Sequence, residues 1–267
     1  MSKASDAKTP QGDINYYPTV IKNKSNYIYW MDHNTGGTNW GTAATGTTFT
    51  AVADPALESL SGGVAGSTVT DGQLKTAYEK FSDAETVDVG LIIAGPSGST
   101  THVDNLITIA ESREDAIVFA SPQRSDVVNI TNSNTQTTNV IGFFDLIRSS
   151  SYVLFDSGYK YAYDRYSDVY RYVPLNGDTA GLAARTDLVA DSWYSPAGFN
   201  RGVIRGAVKL AYNPTKSQRD ELYPKRINPV ASFPGQGTVL FGDKTGLTSP
   251  SAFDRINVRR LFIVLEK

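Results

Sequence analysis

Two histidines, no cysteine and a scatter of carboxylates bound the chemistry open to this 267-residue chain. Without cysteine there is no thiol nucleophile, no thiolate zinc site and no iron–sulfur centre. The segment spaced most like a reactive loop is Gly95-Pro96-Ser97-Gly98-Ser99, which joins an apolar run to a helical pattern. A phosphate loop of this kind needs a lysine at the helix start, and no Lys or Arg occurs between Lys80 and Arg113. A nucleophile elbow needs Gly-x-Ser-x-Gly; this turn is one residue short and reads as a tight turn. The base for a serine nucleophile would be His33 or His102. His102 stands two residues before Asp104, and i and i+2 do not face each other on a helix. His33, beside Asp32, has no acidic cluster around it. Glu111, Glu114 and Asp115 are close in sequence but read as the solvated end of a helix, and a metal needs three or four convergent ligands. The residues therefore predict no enzyme, no cofactor and no metal site.

The whole-chain charge balance is close to even, with 25 Lys+Arg against 27 Asp+Glu. It divides unevenly: residues 1–133 carry 8 basic and 15 acidic groups, and residues 134–267 carry 17 and 12. Such halves suit either two unlike domains or copies that meet head to tail through complementary patches, which fix register more than they add affinity. No basic groove for nucleic acid emerges. Tyr152, Tyr159, Tyr161, Tyr163, Tyr166, Tyr170 and Tyr172 cluster beside Lys160, Arg165 and Arg171, but Asp156, Asp164 and Asp168 cancel that charge. No apolar run approaches the roughly 18 residues of a membrane span, and Met1 to Asp6 is no signal peptide. The expectation is a soluble cytoplasmic protein.

The elements that would position any site follow from periodicity. Residues before about 70 are Gly- and Thr-rich and read as short strands and loops, with Tyr27 to Trp30 a strand candidate and the start disordered. Leu74, Ala77, Tyr78 and Phe81 mark one helix face. Val87 to Ala94 and Ala116 to Ala120 read as buried strands flanking a helix through Val103, Leu106, Ile107 and Ala110, which is a βαβ unit with a parallel sheet and a right-handed crossover. A helix over Val140 to Ile147, a strand at Tyr152 to Phe155, and a hairpin from Lys160 to Val173 follow. Then come a helix over Gly181 to Asp191, a strand over Val203 to Ala211, a helix over Pro214 to Tyr223, strands at Ile227 to Phe233 and Thr238 to Phe241, and a closing helix. The reading is an α/β domain over residues 85–267 with a peripheral β-rich part over residues 1–84.

Several segments carry a family resemblance. Gly181-Leu182-Ala183-Ala184-Arg185-Thr186-Asp187 resembles a signature of contractile phage tail sheath proteins. It is followed by Ser195-Pro196-Ala197-Gly198-Phe199-Asn200-Arg201-Gly202, Arg226-Ile227-Asn228-Pro229-Val230, the block Phe233 to Gly242, and Phe253 to Phe262. Upstream, Leu60-Ser61-Gly62-Gly63 and Asp88 to Pro96 also fit. The motifs occur in order over residues 60–267 and look closest to the T-even-like, myovirus branch.

The resemblance implies a structural subunit of a virion tail sheath, assembled in the host cytoplasm. Such subunits polymerise as stacked hexameric rings around a tail tube, meet a baseplate and a tail terminator, and contract to drive the tube through the host envelope. It also implies a core likened in topology to subtilisin, without a triad. Family members are longer, so the chain reads as a fragment without their terminal extensions. A subtilisin-like α/β hydrolase and a Tyr-rich carbohydrate-binding module are the alternatives.

Seven residues stand out within this frame. Arg185 and Asp187 belong to the signature helix. Gly235 and Gly237 flank a turn that needs positive φ in at least one of them. Arg255, Arg259 and Arg260 fall on one side of the closing helix and are expected either to pair with acids elsewhere in the domain or to face acidic groups on the tail tube or a neighbouring subunit, with Val258, Leu261, Phe262 and Leu265 facing the core.

Overall fold

The computed structural model describes residues 1–2, 4–28, 69–96 and 98–266. His33, Tyr29 and Trp30 of the Tyr27–Trp30 strand candidate, and the Leu60–Gly63 motif lie outside them; Tyr27 and Ile28 are described and form no strand. The chain divides into two compact units, residues 1–66 and 67–267. This division precedes the boundary expected near residue 84, because the helix expected around Leu74 packs within the larger unit.

In the first unit, bridges Ser2↔Tyr16 and Lys8↔Ile14 fold the start back on itself, so it is locally structured. Helix α1 (Tyr17–Lys24) follows, with Pro18 in its first turn, where the missing N–H costs nothing.

The second unit is built on a four-stranded sheet of β1 (Leu91–Ile93), β2 (Ile117–Ala120), β3 (Val153–Asp156) and β8 (Ile227–Asn228), in that order and parallel throughout. Leu91 pairs with Ile117 and Ile93 with Phe119, as the βαβ reading requires. Helix α2 (Asp71–Tyr78) precedes β1, α3 (Thr100–Arg113) forms the first crossover, and α4 (Arg124–Val127) and α5 (Ser133–Asp145) lie in the second. Helix α6 (Asn176–Val189) precedes α7 (Lys216–Leu222), and α8 (Ile256–Glu266) ends the unit.

Side chains alternate across a strand, and both faces of this sheet are covered. Ile92, Val118, Ala120, Val153 and Phe155 pack with α3 and α5 through Val103, Leu106, Ile107 and Phe144. Ile117, Phe119 and Leu154 pack on the other face with Ala180 and Ala183 of α6 and Ile256 of α8. A sheet buried on both faces reads as unbroken apolar runs, and β2 and β3 are buried at every position.

Two antiparallel sheets flank this core. The aromatic hairpin is β4 (Tyr159–Asp164) and β5 (Val169–Pro174), extended by β7 (Lys209–Leu210) in the order β5-β4-β7. The other joins β6 (Val203–Ile204), β10 (Gly237–Leu240) and β9 (Val230–Phe233).

Three expected strands are shorter than their apolar runs. Residues 203–211 form β6 and β7 in different sheets, because Gly206 at φ +68° turns the chain between them. Residues 227–233 divide at Pro229, which has no N–H for a ladder, so β8 and β9 also serve different sheets. Val87 and Val89 precede β1, and their carbonyls are taken by the Arg113 guanidinium instead.

Candidate functional site

The phosphate-loop look-alike is closed by the chain's own groups. Ser99 caps α3 by accepting from the His102 N–H, and its hydroxyl donates to the Asp71 carboxylate at 2.5 Å. A carboxylate therefore already stands at the helix N-terminus, where an anion would be attracted. His102 is fully buried; Nε2 lies 3.2 Å from the Ala94 carbonyl, and Nδ1 has no partner among the described residues. Burial holds its pKa below the usual histidine value. Glu111 accepts from Arg148 and Ser150, Asp115 is paired with Arg113, and Glu114 is the left-handed C-cap of α3. Among the described residues no cluster of His, Asp and Glu could hold a metal, and no helix is long and apolar enough to cross a membrane.

The signature helix α6 buries Leu182, Ala183 and Thr186 and turns Gly177, Gly181, Arg185 and Asp187 outward. Arg185 lies beside Gly177, Gly181 and Arg205 in a shallow groove. Asp187 accepts from Arg260 of α8.

The closing helix presents faces opposite to those expected. Ile256, Arg259 and Arg260 are buried and Ile263 packs beneath them, whereas Phe262, Val264 and Leu265 are exposed, Leu265 by 69%. Both stripes satisfy helical spacing, since Ile256, Arg259, Arg260 and Ile263 also stand at i, i+3, i+4 and i+7. The long arginine stems cover apolar surface, and their heads find partners inside the chain. Arg259 lies against the rings of Tyr152 and Phe253 and donates to the hydroxyls of Ser151 and Tyr152. Arg255 stands before the helix, half-exposed, and donates to Asp243 at 2.5 Å and to the Tyr223 hydroxyl at 2.7 Å. Burial and Asp243 push the Tyr223 hydroxyl up to about 12. Arg255 and Arg260 are thus answered by Asp243 and Asp187, and Arg259 by aromatic faces and hydroxyls.

The remaining motifs resolve into close main-chain packing. Gly235, in the turn between β9 and β10, and Gly237, the first residue of β10, sit at φ +76° and +82°. The Gly198 N–H donates to the Leu240 carbonyl, and the Leu240 N–H to the Gly202 carbonyl, tying the Ser195–Gly202 loop to β10. Arg226 donates to the carbonyls of Phe144, Ile147, Arg148 and Gly246, which satisfies the end of α5 with one buried fork. Asn228 is satisfied at both ends of its amide by Phe155 and Lys244.

Sequence reasoning missed Asp156. It is fully buried at the end of β3, accepting from the Ser121 hydroxyl at 2.7 Å and the Gly158 N–H at 2.9 Å. Burial pushes its carboxyl up to about 8. Its one sequence signal is a carboxylate closing the apolar run Tyr152 to Phe155.

With this geometry in place, comparison with known proteins gives a consistent result. Residues 67–246 match the family described as phage tail sheath protein central domain. The chain is 44% identical over 227 residues to the tail sheath protein of Enterobacteria phage T4, covering 78% of this chain and 34% of that protein. It is 34% identical over 268 residues to the tail sheath protein of Salmonella phage ViI, covering 100% of this chain and 39% of that one. Among solved structures, it resembles the sheath complex of an extracellular contractile injection system in its contracted state, with TM-score 0.55 and 22% identity over 72% of this chain and 49% of that one. The contracted helical sheath of the anti-feeding prophage gives TM-score 0.52 and 21% identity over 73% and 49%. These two likenesses concern the fold. The chain belongs to the phage tail sheath family and carries its central domain. It spans about a third of the length of the curated relatives it matches.

Proposed function

We propose that this chain supplies the rigid core of a contractile tail sheath subunit, which polymerises with copies of itself into stacked hexameric rings around a tail tube. The observation that carries this reading is the family match over residues 67–246 together with 44% identity to a tail sheath protein. The structure supports it in kind. A three-layer core, sealed on both sheet faces, leaves exposed apolar groups on the outside of α6 and α8: Leu188, Val189, Val264 and Leu265. Packed cores move as rigid bodies, and contraction replaces one set of contacts between such bodies with another. Arg185, exposed on α6 and with no ion pair found among the described residues, is a basic group available for contacts between subunits. The baseplate and the tail terminator bound the assembly at its ends, and rings form in the host cytoplasm before the virion is complete.

The test exchanges the matched segment of the phage T4 tail sheath protein for this one. Negative-stain images should show striped tubes that shorten when triggered. A folded chimaera that forms no tubes with T4 tail tubes would overturn the reading.

A further inference from the structure

Residues 81–112 carry five acidic groups and no Lys or Arg, and residues 192–219 carry five basic groups and no Asp or Glu. The fold sets these two stretches at opposite ends of the parallel sheet. Residues 82–90 lead into β1, so they stand where its strands begin. Strand β4 leaves β3 where the strands end, and Lys209 and Leu210 of β7 pair with β4, so residues 205–210 stand at the far end.

At the first end lies the exposed turn Asp83-Ala84-Glu85-Thr86. Asp83 accepts from the Glu85 N–H at 3.0 Å and from the Thr86 hydroxyl at 2.9 Å, which fixes the turn. At the other end, α6 and β6 border a groove of about 240 Å³ whose walls include Gly181, Leu182, Arg185, Ile204 and Arg205. Asp178 also lines it, and its charge is answered by Lys160 at 2.7 Å. Arg185 and Arg205 are exposed. Among the described residues none of Asp83, Glu85, Arg185 and Arg205 has an ion-pair partner. The groove therefore presents two unanswered guanidiniums, and the turn two unanswered carboxylates.

We propose that the α6–β6 groove of one copy receives the Asp83–Thr86 turn of a second copy, with Arg185 and Arg205 facing Asp83 and Glu85. The charges select this occupant, and the placement of the two surfaces at opposite ends makes the contact head to tail. Such a contact is heterologous: each added copy leaves a free groove and a free turn, so it repeats into a ring or an open helix. The planar guanidinium can hold a carboxylate through two parallel hydrogen bonds, which fixes register. Exposed ion pairs are individually weak and are screened by salt. Many of them hold an assembly in register, yet each can be exchanged when packed bodies slide. The assignment rests on the sheath reading above and names the side chains of one contact within it.

The chain has no cysteine, so a single thiol can be placed on each surface. Paired arginine and glutamate hold their Cα atoms farther apart than a disulfide spans, so a short bismaleimide is the linker. Glu85→Cys mixed with Arg205→Cys should give about tenfold more covalent dimer than Glu85→Cys mixed with Lys216→Cys, an exposed position outside the groove. High salt should bring the yield down to that of the control. Charge reversal supplies the second measurement, by sedimentation velocity at low salt. Arg185→Glu with Arg205→Glu, and Asp83→Lys with Glu85→Lys, should each weaken self-association about tenfold. An equimolar mixture of the two variants should recover it, because each reversed surface then meets its complement. A cross-linking yield no higher than the control, or a mixture that associates no better than its components, would overturn the proposal. Neither measurement uses tail tubes. If the T4 chimaera carrying Arg185→Glu with Arg205→Glu still forms striped tubes, the sheath reading stands and this contact is refuted.

Discussion

The Arg259 guanidinium lies 4.3 Å from the ring centroid of Tyr152 and 4.1 Å from that of Phe253, so a charge expected at the surface is held against two aromatic rings. Desolvated cation–π contacts contribute about 2 kcal/mol, and hydrogen bonds to charged groups about 1.5–3 kcal/mol. Arg259→Ala should therefore lower unfolding free energy by about 3 kcal/mol in equilibrium urea titration. Arg259→Lys, which keeps the charge but loses the flat fork, should recover less than half of that loss. A neutral result for Arg259→Ala would show that the helix is held without these contacts.

The parallel core was legible because its strands are short and apolar throughout, and because Ser99, Pro122 and the Gly95-Pro96 turn punctuate them. The closing helix was not. Its apolar residues run almost all round the axis, so spacing alone fits two faces; the choice depends on Asp187, Tyr152 and Phe253, which lie far away in sequence. The same reason hid Asp156, whose partner Ser121 is 35 residues distant. The glycine turn at 235–237 was readable because its demand is local. The short length of β1 was not, since it is decided by Arg113 reaching back to Val87 and Val89.

Asp156 gives the fold an alkaline weakness. Its folded pKa of about 8 lies above the unfolded value of 3.8, so between these the native state holds a proton that the unfolded chain has lost. Stability contributed by that proton is complete below pH 3.8 and declines as pH rises through this window. The urea midpoint should fall from pH 5 to pH 8. Asp156→Asn, neutral at every pH, should flatten that decline and raise the midpoint at pH 8. An unchanged slope in the variant would show that Asp156 is ionised in the native state.

His102 acts at the acid end with the opposite sign. Burial lowers its folded pKa below the unfolded 6.5, so the unfolded state binds a proton first as pH falls. Stability is fully present above pH 6.5 and is lost as pH drops below it. Between pH 5 and pH 6.5 this opposes the fall set by Asp156, so His102→Gln should steepen that fall, and Asp156→Asn should uncover the His102 decline below pH 6.5. The measurement is the midpoint difference between pH 7 and pH 5, compared with the parent chain.

Glycines in this chain divide into those that space requires and those it does not, and two alanine substitutions separate them. A Cβ on Gly202 would stand 2.8 Å from the main-chain N and O of Gly198 and from the Leu240 carbonyl oxygen, closer than real Cβ contacts allow. None of these atoms can rotate away, since the Gly202 N–H donates to the Gly198 carbonyl and the Leu240 N–H to the Gly202 carbonyl. Gly202→Ala must therefore push the Ser195–Gly202 loop off β10 and break that pairing, at a cost of about 2 kcal/mol or more, in the range of overpacked sites. Gly181 sits within α6, at a helical φ, and a Cβ there would meet nothing within 4 Å among the described residues. Alanine there removes the entropy penalty of a helix-interior glycine, so Gly181→Ala should stabilise the isolated chain by about 0.5–1 kcal/mol. Thermal and urea unfolding of the two variants should move in opposite directions. A stable Gly202→Ala variant would mean that the loop can leave β10 without loss, and a destabilised Gly181→Ala variant that α6 is packed on its outward face.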